Sequence, residues 1–315
     1  MARVESFNLL LAKSGLDEVI SVYNKNPSLK WKLMAPQVST VQGYWRAMQE
    51  ADFSIAPAVS QGSTLPVEDF ETPYFKDFYP VKRALIAQNS RESVQSDLYG
   101  VIKRTGSKLN LAVQKAMEVE ASAFVNLALD ISNASLGADG LPLASTVHPY
   151  SGGTASNIIP SNPVLSYTSL ETARQMLMSQ ASHKGDPMMF DGPFDLFVPP
   201  ALMSVAERIV GAQTIGVAVA GVSLGGTAKG NDPNVMNSSR VRVIVNPWFT
   251  GPGTAWMLRC RNEDDHGLRF ITRRMPETKV WDDYATDSVK TSVTAIFCRA
   301  IRDWRGVIFS KGDGS

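Results

Sequence analysis

The sequence predicts an α+β fold. Helical periodicity is confined to the first two thirds of the chain, and strands at hairpin spacing fill the last third. No strand–helix–strand unit repeats as a doubly wound sheet requires. At 315 residues, 44% of them hydrophobic, the chain can bury a large core as two compact domains or one extended one.

Residues 1–50 mix short helical stretches with Pro27 and Pro36, and "GLDEVISVYNKN" places Leu16, Val19, Ile20 and Tyr23 on one helical face. The segment is too short and interrupted for a domain and reads as an arm. The next stretch, "QGSTLPVEDFETPYFKDFYPVKRALIAQ", holds Phe70, Tyr74, Phe75, Phe78 and Tyr79, broken by Pro73 and Pro80. Alternation over Val81–Ile86 predicts a strand, with Gly62–Pro66 as the turn to its partner. So concentrated an aromatic ribbon needs a cover, either its own core or a second surface.

Residues 91–132 give the clearest element. Leu98, Val101, Ile102, Leu109, Val113, Ala116, Val119, Ala123, Phe124 and Leu127 follow the helical period, and Ser90, Ser93 or Ser96 can cap the start. One helix of about 35–40 residues spans roughly 50–60 Å, with Gly100 and Gly106 as points for a kink or break. "SNASLGADG" ends it, and a proline-rich loop covers 141–165. "SYTSLETARQMLMSQ" predicts a helix capped by Thr168 or Ser169, with Glu171 in its first turn. "FDLFVPP" is a strand, "ALMSVAERIVG" a helix opened by Pro200, and 211–239 a nearly uncharged glycine-rich stretch. "RVRVIVNPWF", "TAWMLRC", "GLRFITRR", "TKVWDD", "SVKTSVTAIFCRAIRDW" and "GVIFS" complete the strands.

Net charge is +1, so no global basic field is available to hold nucleic acid. Seven arginines and no lysine lie between Arg240 and Arg274, against Glu263, Asp264 and Asp265. Ion pairs and solvated strand faces explain them better than a duplex-binding stripe. Cys260 and Cys298 are too few for a disulfide framework and read as buried free thiols. His148, His183 and His266 lack metal-ligand spacing with them. No apolar run reaches the length of a membrane span, and "MARVESFNLLLAKSG" lacks the pattern of a signal peptide.

Gly221-Val222-Ser223-Leu224-Gly225 matches the G-x-S-x-G string of a hydrolase nucleophile elbow. An elbow needs a helix directly after the serine, but "LGGTAKGNDPNVMNSS" cannot start one. The only later histidine, His266, follows too closely for the intervening strand–helix units. Ser223 therefore reads as a loop serine, with serine hydrolase kept as the alternative from another class. His148 and Ser151 lie close, but with no acid placed to orient the imidazole. "EDDH" at 263–266 reads as a solvated hairpin tip rather than a metal cluster. Nothing calls for a cofactor.

The order of these segments is more specific than any one of them. "QGSTLPVEDF" (61–70), "KRALIAQNSRESVQSDL" (82–98) and "TAIFCRAIRDWRGVIF" (294–309) resemble the major capsid proteins of tailed bacteriophages, the Hong-Kong-phage fold that encapsulin shells share. "STVHPYSGGTASNIIP", "LETARQ", "LFVPPAL", "VNPWFTG" and "AWML" look like its Mu-like head subunit branch.

The resemblance implies an N-terminal arm (1–50), an E-loop ribbon (51–90), a P domain with the spine helix (91–149), an A domain (150–270) and closing P-domain strands (271–315). It implies pentamers and hexamers of the chain itself in an icosahedral shell around double-stranded DNA, without sequence-specific binding and without a membrane. Separate scaffold and portal proteins are implied too, since fifty residues are too few for a built-in scaffold. Assembly would occur in the bacterial host cytoplasm and the product would be the virion. An encapsulin-like nanocompartment shell is the alternative of the same fold.

The resemblance puts Glu68, Asp69, Phe70, Tyr74, Phe75, Phe78, Arg91 and Glu92 at a subunit interface, with the ribbon's aromatics on a neighbour. Arg91 would be free to face a neighbour's Glu68, Asp69 or Glu71. Removal of 62–82 should then leave a folded subunit that forms no shells.

Overall fold

Two four-stranded sheets organise the chain. The computed structural model describes residues 30–95, 105–212, 214–215, 232–234, 236–237, 240–251 and 253–314. A short helix α1 (Trp31–Met34) and strand β1 (Gln37–Ser39) precede β2 (Trp45–Gln49) and β3 (Tyr74–Phe78). Strand β4 (Val81–Ser90) runs straight into helix α2 (Arg91–Gln95), and α3 spans Thr105–Asn126. The middle of the chain holds β5 (His148–Tyr150), β6 (Gly153–Ala155), α4 (Tyr167–Met178), β7 (Phe194–Val198) and α5 (Met203–Gly211). Then come β8 (Thr214–Ile215), β9 (Asp232–Pro233), β10 (Val241–Val245), β11 (Trp256–Cys260), β12 (Leu268–Asp283), β13 (Ser288–Ile301) and β14 (Val307–Ser310). The architecture is α+β, with helices grouped before the strand-rich end.

The first sheet has the order β1-β12-β13-β4, and the second β10-β7-β11-β14. The partner of β4 is not across the Gly62 turn, as alternation alone suggested. It is β13, from Val81↔Phe297 to Ser90↔Ser288, about two hundred residues away in sequence. The two strands expected at "GLRFITRR" and "TKVWDD" are one strand, irregular between Thr272 and Glu277. Pro276 lies there and lacks the N–H that a regular ladder needs. The closing strands do not all complete one sheet: β12 and β13 belong to the first, while β14 pairs with β11 in the second. Residues 30–49, expected within the arm, are part of the body. Trp31 and Met34 are buried in its core and β1 pairs with β12.

The second sheet is the middle layer. On one face Phe197, Met257, Val307 and Phe309 join Leu109, Val113, Met117, Ala121 and Phe124 of α3 in the main core. On the other, Phe194, Leu196, Val198, Trp256 and Leu258 meet Leu170, Ala173 and Leu177 of α4 and Ala206 and Val210 of α5. Each large apolar side chain so buried contributes about 1.5–3 kcal/mol. Strand β7 is buried at every position because both faces are covered.

Of the helix expected over 91–132, the structure shows α2 and α3, with Leu98, Val101 and Ile102 outside the described residues. Helix α3 ends at Asn126, and Val119 and Leu127, assigned to the core by period, are exposed. Helix α4 starts two or three residues earlier than its sequence suggested. Ser166 is the cap, accepting from the Ser169 N–H while Ser169 Oγ accepts from the Ser166 N–H. Glu118, buried in α3, accepts the Lys30 N–H at 2.7 Å at the entrance to α1. Burial raises its carboxyl above the ordinary range.

The chain runs directly from a strand of one sheet to a strand of the other after β11 and after β13, and these two crossings lie side by side. The Arg302 N–H donates to Gly267 O (2.8 Å) and the Cys260 N–H to Gly306 O (2.9 Å). A Cβ on Gly267 would strike the Asp303 backbone, and one on Gly306 (φ 76°) the Asp265 carbonyl, so both positions require glycine. Cys260 and Cys298 are free and buried in different cores, and burial pushes both thiols up to about 12.

Candidate subunit-contact surface

The aromatic ribbon is a hairpin with an unusually long loop. Strands β2 and β3 pair from Trp45↔Phe78 to Gln49↔Tyr74. Beyond them the backbone makes one further cross-limb bond, from the Ala51 N–H to Glu71 O at 3.0 Å. Pro57, Pro66 and Pro73 remove donors from the limbs, so the ladder cannot continue. Gly62 (φ 84°) makes the turn at the tip. The limbs are held together instead by one carboxylate. Glu68 accepts from the Ser54 N–H and the Ser54 hydroxyl, both at 2.9 Å, and from Lys184 Nζ at 2.9 Å. Lys184 also reaches Glu71 at 3.3 Å.

The apolar side chains of this loop are uncovered: Phe53, Ile55, Leu65, Val67 and Phe70 are exposed, Val67 at 91%. Residues 50–73 carry Glu50, Asp52, Glu68, Asp69 and Glu71 and no lysine or arginine. The surface is both apolar and acidic.

The residues expected at an interface divide into two groups. Phe70, Asp69 and Glu92 are exposed, and Phe75 is exposed beneath the Arg46 guanidinium, 5.2 Å from its ring. Phe78 is only 6% exposed and belongs to the subunit's own core with Ala47, Ile271, Cys298 and Ala300. Its place at the end of β3, opposite Trp45, turns it inward. Tyr74 is half-buried, edge-on to the His183 ring at 5.8 Å. Glu68 is engaged within the chain. Arg91 is not free: its Nε pairs with Asp287 at 2.8 Å, and Asp282 lies 3.9 Å from the same guanidinium. The β4–β13 pairing brings the β12–β13 turn to the foot of α2, which separation in sequence conceals. Ser90 Oγ accepts the Ser93 N–H there, as a cap should.

Hydrogen bonds from Lys184 and Ser54 hold the Glu68 carboxyl below its ordinary 4.5, at about 2. A depressed carboxyl supports the fold fully above its ordinary value and loses that support as pH falls through the folded value. Protection of the Ser54 amide from hydrogen exchange, corrected for the intrinsic rate, is therefore expected to hold at neutral pH and fade between pH 4.5 and about 2. Protection that stays level across this window while the body remains folded would assign the loop's order to something other than the carboxylate.

The other sequence candidates take structural places. Ser223 lies outside the described residues. His148 does have an orienting acid, since its Nδ1 is 2.6 Å from Asp139 Oδ2, and its ring stacks on Trp304 at 4.3 Å. The pair is buried inside the fold, whereas Ser151 is exposed on the β5–β6 turn. His266 is not at a solvated hairpin tip. It is buried in the crossing between sheets, and burial, with Arg259, Arg269 and Arg302 nearby, lowers its imidazole to about 2. Among the described residues no group of three or more His, Cys, Asp or Glu is placed to hold a metal ion. Among them, too, no helix is long and apolar enough to cross a membrane.

Two features escaped the sequence. Lys184 carried no local signal, and Asp195 reads as an unremarkable residue in a buried strand. Asp195 is fully buried and accepts from three arginines: Arg242 at 2.9 and 2.8 Å, Arg259 at 2.8 Å and Arg261 at 3.0 Å. Arg242 and Arg259 are its direct register partners on β10 and β11, so the ions form a row across the sheet. The arginine-rich stretch is thus partly explained by ion pairing.

The family model for phage capsid protein matches residues 76–309. Among solved structures, the chain is similar to one in "Capsid of empty GTA particle", with a TM-score of 0.57 and 9% identity over 95% of this chain and 96% of that one. A chain of Microbacterium phage Oxtober96 gives a TM-score of 0.58 and 12% identity over 97% of each. The bacteriophage JBD30 capsid gives 0.57 and 12% over 79% of this chain and 100% of that one. At such identities the structural likeness is one of fold. No curated protein matches the sequence.

Proposed function

This chain belongs to the phage capsid protein family, and on that premise we propose that it closes with its own copies, as pentamers and hexamers, into an icosahedral head. It is a structural shell protein of the virion and not an enzyme. In this reading the first sheet and α3 form the P domain, and the second sheet with α4 and α5 forms most of the A domain. The resemblance of the middle segments supports the Mu-like head subunit branch.

The observation that carries the reading is the loop 50–73, whose limbs are fixed while Phe53, Ile55, Leu65, Val67 and Phe70 stay uncovered. Soluble subunits rarely leave so much apolar surface in one place without a partner. The loop's acids suit a basic neighbour. The outer half of β12 offers Arg273, with Arg274 and Lys279 on either side of Glu277 (4.0 and 3.5 Å), beside exposed Met275, Val280 and Trp281. A second copy of the chain presents all of these. Phe70, Phe75 and Asp69 are the members of the expected interface set on or beside the loop that face outward for such a contact, while Glu92 is exposed at the foot of α2, beyond the other end of β4.

Separate scaffold and portal proteins belong to the same reading, as does assembly in the host cytoplasm. The shell would enclose double-stranded DNA without sequence-specific contacts, in keeping with a net charge of +1. Electron microscopy of the purified protein, expressed alone and with the other head proteins, is expected to show hollow icosahedral particles. Subunits that stay dispersed in both preparations would overturn the reading.

A further inference from the structure

A loop that must cover a neighbour works best if its course is set beforehand, because ordering it at the moment of contact costs conformational entropy. The backbone of 50–73 provides little order by itself, with one cross-limb bond beyond β2 and β3. The charged cluster at its root supplies the rest. Glu68 on the returning limb binds Ser54 on the outgoing limb through both its N–H and its hydroxyl. The same carboxylate binds Lys184, which also takes Glu71. One carboxylate therefore joins both limbs to the body, and the apolar tip between them, with Ile55 and Leu65, is left outside the clamp.

The anchor is itself held. The turn carrying Lys184 closes through the Ser182 N–H to Asp186 O (2.7 Å), and the Ser151 N–H donates to His183 O (2.8 Å). The Lys184 N–H donates to Ser182 Oγ at 3.2 Å, and His183 packs on Tyr74 at the base of the hairpin. The loop has five acids and no cation of its own, so the cation for its root must come from elsewhere in the chain.

We infer that Lys184, acting through Glu68, Glu71 and Ser54, is a positioning residue for assembly: it presets the course of the loop so that the apolar tip reaches a second copy of the chain. The inference rests on the reading that the loop covers a neighbour, and it goes beyond that reading in assigning the loop's geometry to a contact within one subunit. Nothing in it requires Lys184 to touch the neighbour.

The test compares Lys184→Ala, Lys184→Arg and Glu68→Gln in the full chain by hydrogen exchange of the free subunit and by the subunit concentration at which shells form. Lys184→Ala and Glu68→Gln are expected to speed exchange at Ser54 by about tenfold. Both should raise the assembly concentration severalfold, with the melting temperature of the body unchanged. Lys184→Arg should restore both readouts, because it returns the cation without the original side chain. Unchanged exchange at Ser54 in Lys184→Ala would show that no clamp exists. Faster exchange with normal assembly would show a clamp that does not position the loop, and would overturn the inference as well. Failure of the underlying reading is distinguishable, since a subunit lacking the loop tip would then form shells normally whatever the state of Lys184.

Discussion

Replacing Asp195 with alanine is expected to destabilise the subunit by about 3–5 kcal/mol, the cost of leaving a buried charge without its partner. The stranded charge is Arg259, whose side chain is 4% exposed. Its guanidinium lies 5.1 Å from the Phe197 ring and donates to the carbonyls of Leu33 and Met34 at the end of α1. Burial already pulls it below the ordinary arginine range, opposed by Asp195. Arg242 and Arg261 are each about a third or more exposed and can turn to water, so the penalty centres on one residue. The same reasoning predicts that Arg242→Ala costs no more than about 1 kcal/mol. Replacing Asp195 and Arg259 together by Leu and Met should recover much of the loss, since Arg242 and Arg261 can turn to water and no buried ion is left unpaired. Denaturant melts of the free subunit decide the matter. A single Asp195→Ala variant within about 1 kcal/mol of the parent would mean that Arg259 finds other partners.

Replacing residues 55–67 by a short Gly-Ser linker is expected to abolish shell formation while leaving the subunit folded. No side chain in that stretch is buried, so none of the three cores loses a member. The limbs remain joined by Glu68 and Ser54, and shortening a loop changes its closure entropy only slowly. Thermal melting of the free subunit should therefore move little, while sedimentation shows no particles. Shells of normal size from this variant would mean that the apolar tip covers nothing. The wider deletion of 62–82 that the sequence invited is a poorer test. It removes β3, Phe78 and the first two residues of β4, and so attacks the subunit's own sheet and core.

Much of this architecture was legible where burial alone shapes the sequence. The strands around Phe194–Val198, Val241–Val245, Trp256–Cys260 and the closing segments show themselves through β-branched and aromatic runs bounded by turn residues. The helical period found the core face of α3 at Leu109, Val113 and Phe124 but also took in Val119 and Leu127, because periodicity reports amphipathic spacing and not the width of the covered stripe. What stayed hidden depends on pairings distant in sequence. That β4 lies beside β13 decides where Arg91 points, and no local signal carries that register. Phe75 and Phe78 look alike in the aromatic run, yet only the β2–β3 pairing turns one outward and the other inward. His148 gained its acid from Asp139, nine residues upstream in a loop, where side-chain direction cannot be read from spacing. Lys184 and Asp195 matter through what the fold brings to them.

The paired crossings at Gly267 and Gly306 have a mechanical consequence. Sheets joined by one strand of chain can swing about it like a door on a single pin. Here two lengths of backbone span the same gap and are bonded to each other, so no free axis remains between the layers. A side chain at either glycine would wedge the lengths apart and create the missing hinge. On the function proposed above, the native subunit would enter its lattice with the two sheets held together as one unit. On that same reading, the curvature that separates a fivefold vertex from a flat hexagonal facet would be taken up at the seams between subunits, where the acidic, apolar loop would lie, rather than by bending within each one.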